Sequence, residues 1–312
     1  MRIRLVSQHT EFKFVRLRQM AFVFSLALAV ASVALFFVRD LNYGIDFRGG
    51  TMIEAGFAEA SDLTSIRETV TALNLGDVAV QEFGTTTDVL IRVEQQTGGD
   101  AVQQNVVDTV KNALSAKWPD VSYRRVEVVG PKVSGELIEA GALAVGLAVM
   151  AMLVYIWFRF EWQFSVGAVV ALVHDVVLTI GMFALTGLEF NLSIIAAILT
   201  IVGYSMNDTV VVYDRVRENL RKYKKKPLAD LLDLSINDTL SRTTMTSLTT
   251  LLALGALYVF GGEVIRGFTA AMIWGVVVGT YSSIFVAAPI LLVLGVKRDW
   301  SEEGAAAPQN QS

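Results

Sequence analysis

Cysteine is absent from the 312 residues, and histidine occurs only as His9 and His174. The first absence excludes disulfides and any thiolate metal centre, and the second argues against a histidine-rich site. No metal and no cofactor is expected. Charge is scarce as well: 18% of residues are Asp, Glu, Lys or Arg, against 53% hydrophobic, with a mean hydropathy of +0.51. A chain this apolar reads as a membrane protein rather than a soluble domain. The net charge of −4 says little as a total. Its distribution carries the signal.

A bilayer core of roughly 30 Å needs about 20 apolar helical residues. Six stretches qualify: 19–38, 137–158, 164–185, 191–213, 243–260 and 268–294. The first, flanked by Arg2, Arg4, Lys13, Arg16 and Arg18, competes with a signal-peptide reading. Its run exceeds the roughly 7–15 apolar residues of a cleaved signal, and Ala29-Val30-Ala31 falls inside the run rather than after it, so a retained anchor is expected. Lys and Arg also crowd the segment after the fourth span, from Arg215 to Lys226, and the tail at Lys297 and Arg298. Loops 186–190 and 261–267 carry a single Arg, Arg266. By the positive-inside rule both termini are cytoplasmic. The flank 1–18, the segment 214–242 (a loop and the entry to the fifth span) and the tail 295–312 are then inside. The run RKYKKK at 221–226 belongs to that charge bias, and no nucleic-acid partner is expected.

Residues 39–136 then lie on the far, periplasmic side. Between Asp40 and Lys132 there are 8 basic and 14 acidic residues, a net of −6. TMIEAGF (51–57) alternates as a strand. SDLTSIRETVTALNL (61–75) reads as a helix with Ser61 as N-cap and Leu63, Ile66, Val70 and Leu73 at helical spacing. VAVQEFG and DVLIRVE are strands joined by a turn at Thr85–Thr87, 101–118 is a second helix, and VSYRRVEVV (121–129) a last strand. The order βαββαβ is that of a split, ferredoxin-like α+β unit. The predicted fold is therefore a polytopic α-helical membrane protein of six spans with one small periplasmic α+β domain. FRGG at 47–50 precedes a strand and reads as a tight chain turn, not a phosphate loop.

The fourth span, NLSIIAAILTIVGYSMNDTVVVYDRVRENL (191–220), carries a carboxylate inside its apolar run. Asp208 lies about six residues, roughly 9 Å, from the charged boundary at Asp214. A charge at that depth costs at least a few kcal/mol unless it faces a partner or a wet cavity. A structural role, as a hydrogen-bonding tie between helices, is the alternative. The next span opens SRTTMTSLTTLL, with Arg242 at its boundary, where it either snorkels to the interface or partners Asp208 at comparable depth. Asp208 and Arg242 are thus the candidate proton relay. Ser205, Asn207, Thr209, Thr243, Thr246 and Ser247 are supporting polar residues of a hydrated half-channel. Burial favours the neutral acid and a nearby guanidinium the charged one, so movement of Arg242 would load or release a proton. His174 and Asp175, in the third span, are further candidates, although side chains about 100° apart on a helix do not face one partner equally. Gly275-x-x-x-Gly279 in the sixth span permits close helix contact.

These residues also carry a family resemblance over nearly the whole chain. LNYGIDFRGGTMIE (41–54), GPKVSGEL (130–137), VHDVVLTIG (173–181), VGYSMNDTVVVYDRVREN (202–219), SRTTMTS (241–247) and LYVFGGEVIRGF (257–268) resemble the SecD/SecF family of protein-export membrane proteins, within the RND-like superfamily. Met206 departs slightly, standing where the family usually has a branched aliphatic residue. The resemblance implies a bacterial inner-membrane subunit, not an enzyme. It implies a complex with a SecD-type chain of six further spans beside the SecYEG translocon. Asp208 and Arg242 match the family's membrane carboxylate and arginine, through which protons would drive late translocation of an unfolded exported polypeptide.

Three other classes fit less well. A proton-coupled efflux pump for small molecules shares the membrane architecture but has two six-span halves and far larger outer domains. An intramembrane aspartyl protease needs two catalytic aspartates; Tyr213-Asp214 is present, but no second Gly-x-Gly-Asp follows, and Asp214 sits at the boundary. A passive scaffold has no need for a membrane Asp-Arg pair.

Overall fold

The computed structural model describes residues 10–60, 62–98 and 100–296. His9, Arg2, Arg4, Ser61, Lys297 and Arg298, and the tail from 297, lie outside the described residues. Among the described residues, six helical spans are long and apolar enough to cross a membrane. The first is α1 (Arg18–Arg39), followed by a short strand β1 (Asn42–Tyr43) and a single turn α2 (Ile45–Arg48). Next come β2 (Gly50–Gly56), α3 (Leu63–Thr71), β3 (Val78–Phe83), β4 (Thr85–Val93), α4 (Asp100–Lys117) and β5 (Ser122–Val129). The remaining spans are α5 (Pro131–Arg159), α6 (Trp162–Thr186), α7 (Leu192–Lys222) and α8 (Leu228–Phe260), with a two-residue strand β6 (Glu189–Phe190) before α7. The last span is α9 (Arg266–Ser282), a π-helical turn (Ser283–Ala287) and α10 (Ala288–Val293).

The chain between α1 and α5 forms an antiparallel sheet in the order β3-β4-β2-β5. One face carries Ile53, Ala55, Val89, Ile91 and Val93 against Ile66 and Val70 of α3 and Val106, Val110 and Leu114 of α4, an apolar core of its own. Strand alternation sends Met52 and Leu90 to the other face, where Ile45 of α2 covers them. The α3 cap is Asp62, whose side chain accepts from the Thr64 amide (3.0 Å), rather than the expected Ser61. The turn between β3 and β4 is at Gly84 (φ +80°), not at Thr85–Thr87, which belong to β4. After α2 the chain turns through Gly49 (φ +71°) and Gly50 (φ +112°), the left-handed conformations that the FRGG reading anticipated.

Within the membrane half, α6, α7 and α9 are the buried centre, and α1, α5 and α8 stand around them with large apolar faces exposed. Small residues let the central helices approach. A side chain at Gly275 would strike Ile201, one at Gly279 would press on Ser205, and one at Gly181 would overlap Ser32 of α1. The Gly275–Gly279 pair is thus a contact with α7. The segment 214–242, expected as a loop and the entry to the fifth span, is helical except at 223–227. Leu231, Leu232, Ser235, Ile236 and Thr239 repeat at helical spacing and bury one face of the α8 extension, which also holds the N-terminal segment through Asp233 to Val15 N (2.8 Å) and Asn237 to Phe12 N (3.0 Å).

The sheet domain is fastened to the helices by polar contacts. β1 pairs in parallel with β6, and Asp46 Oδ2 accepts from Leu192 N at 2.8 Å, satisfying a free amide at the start of α7. Arg92 reaches from β4 to Glu189 at 2.9 Å and to Asn42 at 3.3 Å. Burial pushes the Glu189 carboxyl above its ordinary range; Arg92 pulls it down, Asp46 and Glu127 push it up, and Arg125 pulls it down. A carboxyl raised in the folded state contributes fully below its unfolded pKa, and that contribution is lost as pH rises through the folded value. Glu189→Gln is therefore expected to hold the domain at least as firmly near neutrality and to flatten the pH dependence above the ordinary carboxylate range. Arg92→Ala strands the acid and should loosen the attachment by about 2–4 kcal/mol. Protease cleavage within 39–49, followed against pH in detergent, reads both; cleavage of Arg92→Ala at the wild-type rate would show that the pair carries no weight.

Candidate functional site

Asp175 of α6 is the most heavily bonded acid in the bundle. It is 1% exposed, and its Oδ2 accepts from Ser205 of α7 (2.6 Å) and Ser282 of α9 (2.8 Å). Its Oδ1 meets His174 Nδ1 at 2.9 Å, and its backbone carbonyl accepts from Thr179 (2.7 Å). The His174 ring stacks on Tyr281, whose hydroxyl donates to Ala21 O (3.2 Å) and shares a bond with Ser25 of α1 (2.9 Å). Three helices therefore meet at one carboxyl and its histidine, and Tyr281 ties α1 to them. His174 Nε2 is buried with no hydrogen-bond partner among the described residues.

The placement follows from local helix geometry. Ser205 and Thr209 are one turn apart on α7 and share its inner face. Thr209 bonds Ser283 (2.9 Å), which also donates to Gly279 O (2.9 Å). Ser283 opens the π-helical turn, a widening that precedes Pro289, which has no amide to donate. Ala287 O, in the same turn, accepts from Tyr213 at 3.1 Å.

Asp208 has a different environment. It is 4% exposed, and its Oδ2 is buried without a hydrogen bond from any described residue. Thr243 of the adjoining α8 is 1% exposed and its hydroxyl is likewise unpaired. Burying a polar oxygen unpaired costs on the order of 1–3 kcal/mol, so native folds keep few such groups. Arg242 does not contact Asp208: it is exposed, acts on the acid only at longer range, and no carboxylate among the described residues lies within 4.0 Å of it. The direct Asp208–Arg242 pair suggested by the sequence is absent from this conformation. Asn207 is also exposed, on the opposite side of α7 from the bundle centre.

The other hydroxyls do not line up toward Asp208. Thr246 donates to Arg242 O (3.0 Å) and Thr250 to Thr246 O (2.8 Å), returning their protons to their own helix. Ser247 instead bonds Thr280 of α9 at 2.7 Å. Asp214 is paired with Arg159 at 2.8 Å at the end of the bundle away from the sheet domain. Sequence reasoning missed Ser282, Ser283 and Tyr281, although the polar run Thr280–Ser283 interrupts the sixth apolar stretch and was the available signal. Among the described residues no three His, Asp or Glu side chains cluster as a metal site would need.

The family described as protein export membrane protein SecD/SecF, C-terminal, matches residues 109–297, and the SecD/SecF GG motif matches 34–60, which contains Gly49 and Gly50. A protein translocase subunit SecF from Cereibacter sphaeroides is 46% identical, over 98% of this chain and 96% of that protein. The same subunit from Rhodobacter capsulatus is 48% identical, over 96% and 93% respectively. The crystal structure of SecDF from Thermus thermophilus, described as a translocon-associated membrane protein, superposes with a TM-score of 0.85 at 33% identity over 95% of this chain. SecDF in a super-membrane-facing form gives 0.69 at 35% identity over 94%. This chain covers 40% of each SecDF chain. With family matches covering the α+β domain's first strands and all spans after it, and near-half identity over almost its full length, the chain belongs to the SecD/SecF family of protein export membrane proteins, on its SecF side.

Proposed function

We propose that this chain is the SecF-type half of a proton-driven protein-export unit in the bacterial inner membrane, with both termini cytoplasmic and the α+β domain periplasmic. The observation that carries the reading is the buried, unpartnered Asp208 carboxyl between α7 and α8, with Thr243 equally unpaired and Arg242 nearby. Such a group is expensive in a membrane unless it binds and releases protons or meets a moving cation. Asn207, Arg242 and Thr249 are exposed at α7 and α8, within or at the edge of the apolar spans. Polar groups do not face lipid readily, so this face fits a second membrane chain, for which a SecD-type partner is the candidate. That the matched SecDF chains are longer than this chain supports the same pairing.

The strand order β3-β4-β2-β5, with two helices on one face, supports the ferredoxin-like assignment of the outer domain. The Lys and Arg bias of the opposite side supports the orientation. In the proposed cycle, protonation of Asp208 changes its attraction to Arg242. The resulting shift of α7 against α8 moves the outer domain, which acts on a polypeptide emerging from the SecYEG channel. The role is transport, with no bond made or broken by the chain.

Inverted membrane vesicles, with a preprotein supplied at their outer, cytoplasmic face, test this. Vesicles with the complex should export faster than vesicles depleted of this chain, and an uncoupler should erase the difference. A difference that survives the uncoupler defeats the proposal, as does normal export together with raised drug susceptibility in the depleted strain, the signature of an efflux pump.

A further inference from the structure

On the side of the sheet domain, a cleft of about 500 Å³ opens between α5, α6, α7 and the β1–α2 segment. It does not touch the polar cluster around Asp175 or Asp208. Its walls are Ile138, Gly141, Ala142 and Val145 of α5, Val176 and Ile180 of α6, Ile195 and Ile198 of α7, and the rings of Tyr43, Phe47 and Phe190. Small residues on α5 make the space: a side chain at Gly141 would come no nearer than 3.8 Å to Ile195. From Ile138 to Val145 the wall runs seven residues, about 10 Å along the helix. That is most of one leaflet of a hydrocarbon core roughly 30 Å thick. A dry cavity of about 150 Å³ holds one benzene ring. The cleft has about three times that volume, matching the carbon content of one membrane acyl chain.

A single charge lines it, Arg48. The guanidinium lies 5.8 Å from the centre of the Tyr43 ring and is exposed, with no carboxylate of the described residues within 4.0 Å. It is held there by the α2 turn and by Gly49 and Gly50 just after it, whose positive φ values swing the chain back into β2. An unpaired cation at the mouth of an apolar slot, on a segment whose net charge is −6, complements a phosphate joined to a hydrocarbon tail.

We propose that this cleft is a phospholipid site, taking one acyl chain of an anionic lipid with its phosphate on Arg48. The lipid wedges between α5 and α7 directly beneath the attachment of the sheet domain, so an occupied site braces that attachment. A membrane helix of a partner chain is the rival occupant, and the test separates the two.

The protein is extracted in mild detergent with whatever chains accompany it and weighed by native mass spectrometry. One retained phosphatidylglycerol per copy is expected. Ala142→Phe, which fills the slot, should lower that occupancy at least fivefold. Arg48→Gln should lose the preference for phosphatidylglycerol over phosphatidylethanolamine when reconstituted in vesicles of the two lipids. A photoreactive phenylalanine at Val145 gives a readout that does not depend on the stability of either variant: a cross-link of lipid mass supports the site. A cross-link to a protein chain overturns it, and so does phosphatidylglycerol retention unchanged in Ala142→Phe.

Discussion

Under the proton-driven role proposed for this chain, Asp208→Asn is expected to abolish uncoupler-sensitive export while leaving the protein in the membrane at normal levels. The substitution keeps the shape of the side chain and removes its ability to carry a proton. Asp208 Oδ2 has no hydrogen bond to lose, so the fold should shift by less than about 1 kcal/mol, because deleting a bond matters only where a bond exists. The effect on function is the opposite. If the proton is taken up here, the uncoupler-sensitive part of vesicle export falls at least about tenfold, to the level of vesicles without the chain, since one charge crossing about 100 mV supplies roughly 2.3 kcal/mol and nothing replaces it. Arg242 should behave as a charge acting through space rather than as a bonded partner, because no direct contact is present. Arg242→Lys is expected to keep most of the activity and Arg242→Gln to lose it. Uncoupler-sensitive export that persists in Asp208→Asn would remove the carboxyl from the mechanism.

The spans were legible because a hydrocarbon core demands about 20 apolar residues and tolerates few substitutes. The same criterion hid the lower halves of α7 and α8. Hydropathy sees only the membrane-embedded part, whereas LADLLDLSINDTL is an amphipathic helix whose Leu231, Leu232 and Ile236 face neighbouring protein. The turn at Gly84 was missed because three threonines beside it looked like turn residues, yet threonine is β-branched and pairs well in a strand. At the site, sequence pointed to Asp208 as an acid within an apolar span, and the structure buries it, with Arg242 not in direct contact. Sequence underrated Asp175, because the partners of that acid come from α7 and α9, 30 and 107 positions away. Periodicity along one helix carries no information about which serine on another helix will meet it.

That contrast yields the second large effect. Asp175→Ala should be the most destabilising single change in the membrane half. It removes an acceptor for Ser205, Ser282 and His174 together, strands those donors and opens a cavity where α6, α7 and α9 meet. A stranded buried donor costs about 1–3 kcal/mol in a soluble protein, but bonds between membrane helices average nearer about 0.6 kcal/mol. Three of them and the cavity place the loss at about 3 kcal/mol, read as a lower melting point of the purified complex. Asp175→Asn retains an oxygen that still accepts from a serine and should cost less than half as much. His174→Ala gives up one bond and the ring stacked on Tyr281, its Nε2 having no partner among the described residues, and should cost about 1–2 kcal/mol. The ordering matters more than the values. A carboxyl tied by three side chains is fixed in place and suits a joint between helices, whereas one buried without partners can change charge without first breaking a bond. If Asp175→Asn proves as stable as wild type yet loses uncoupler-sensitive export, while Asp208→Asn retains it, the two acids have exchanged roles and the proton site lies at the centre of α6, α7 and α9.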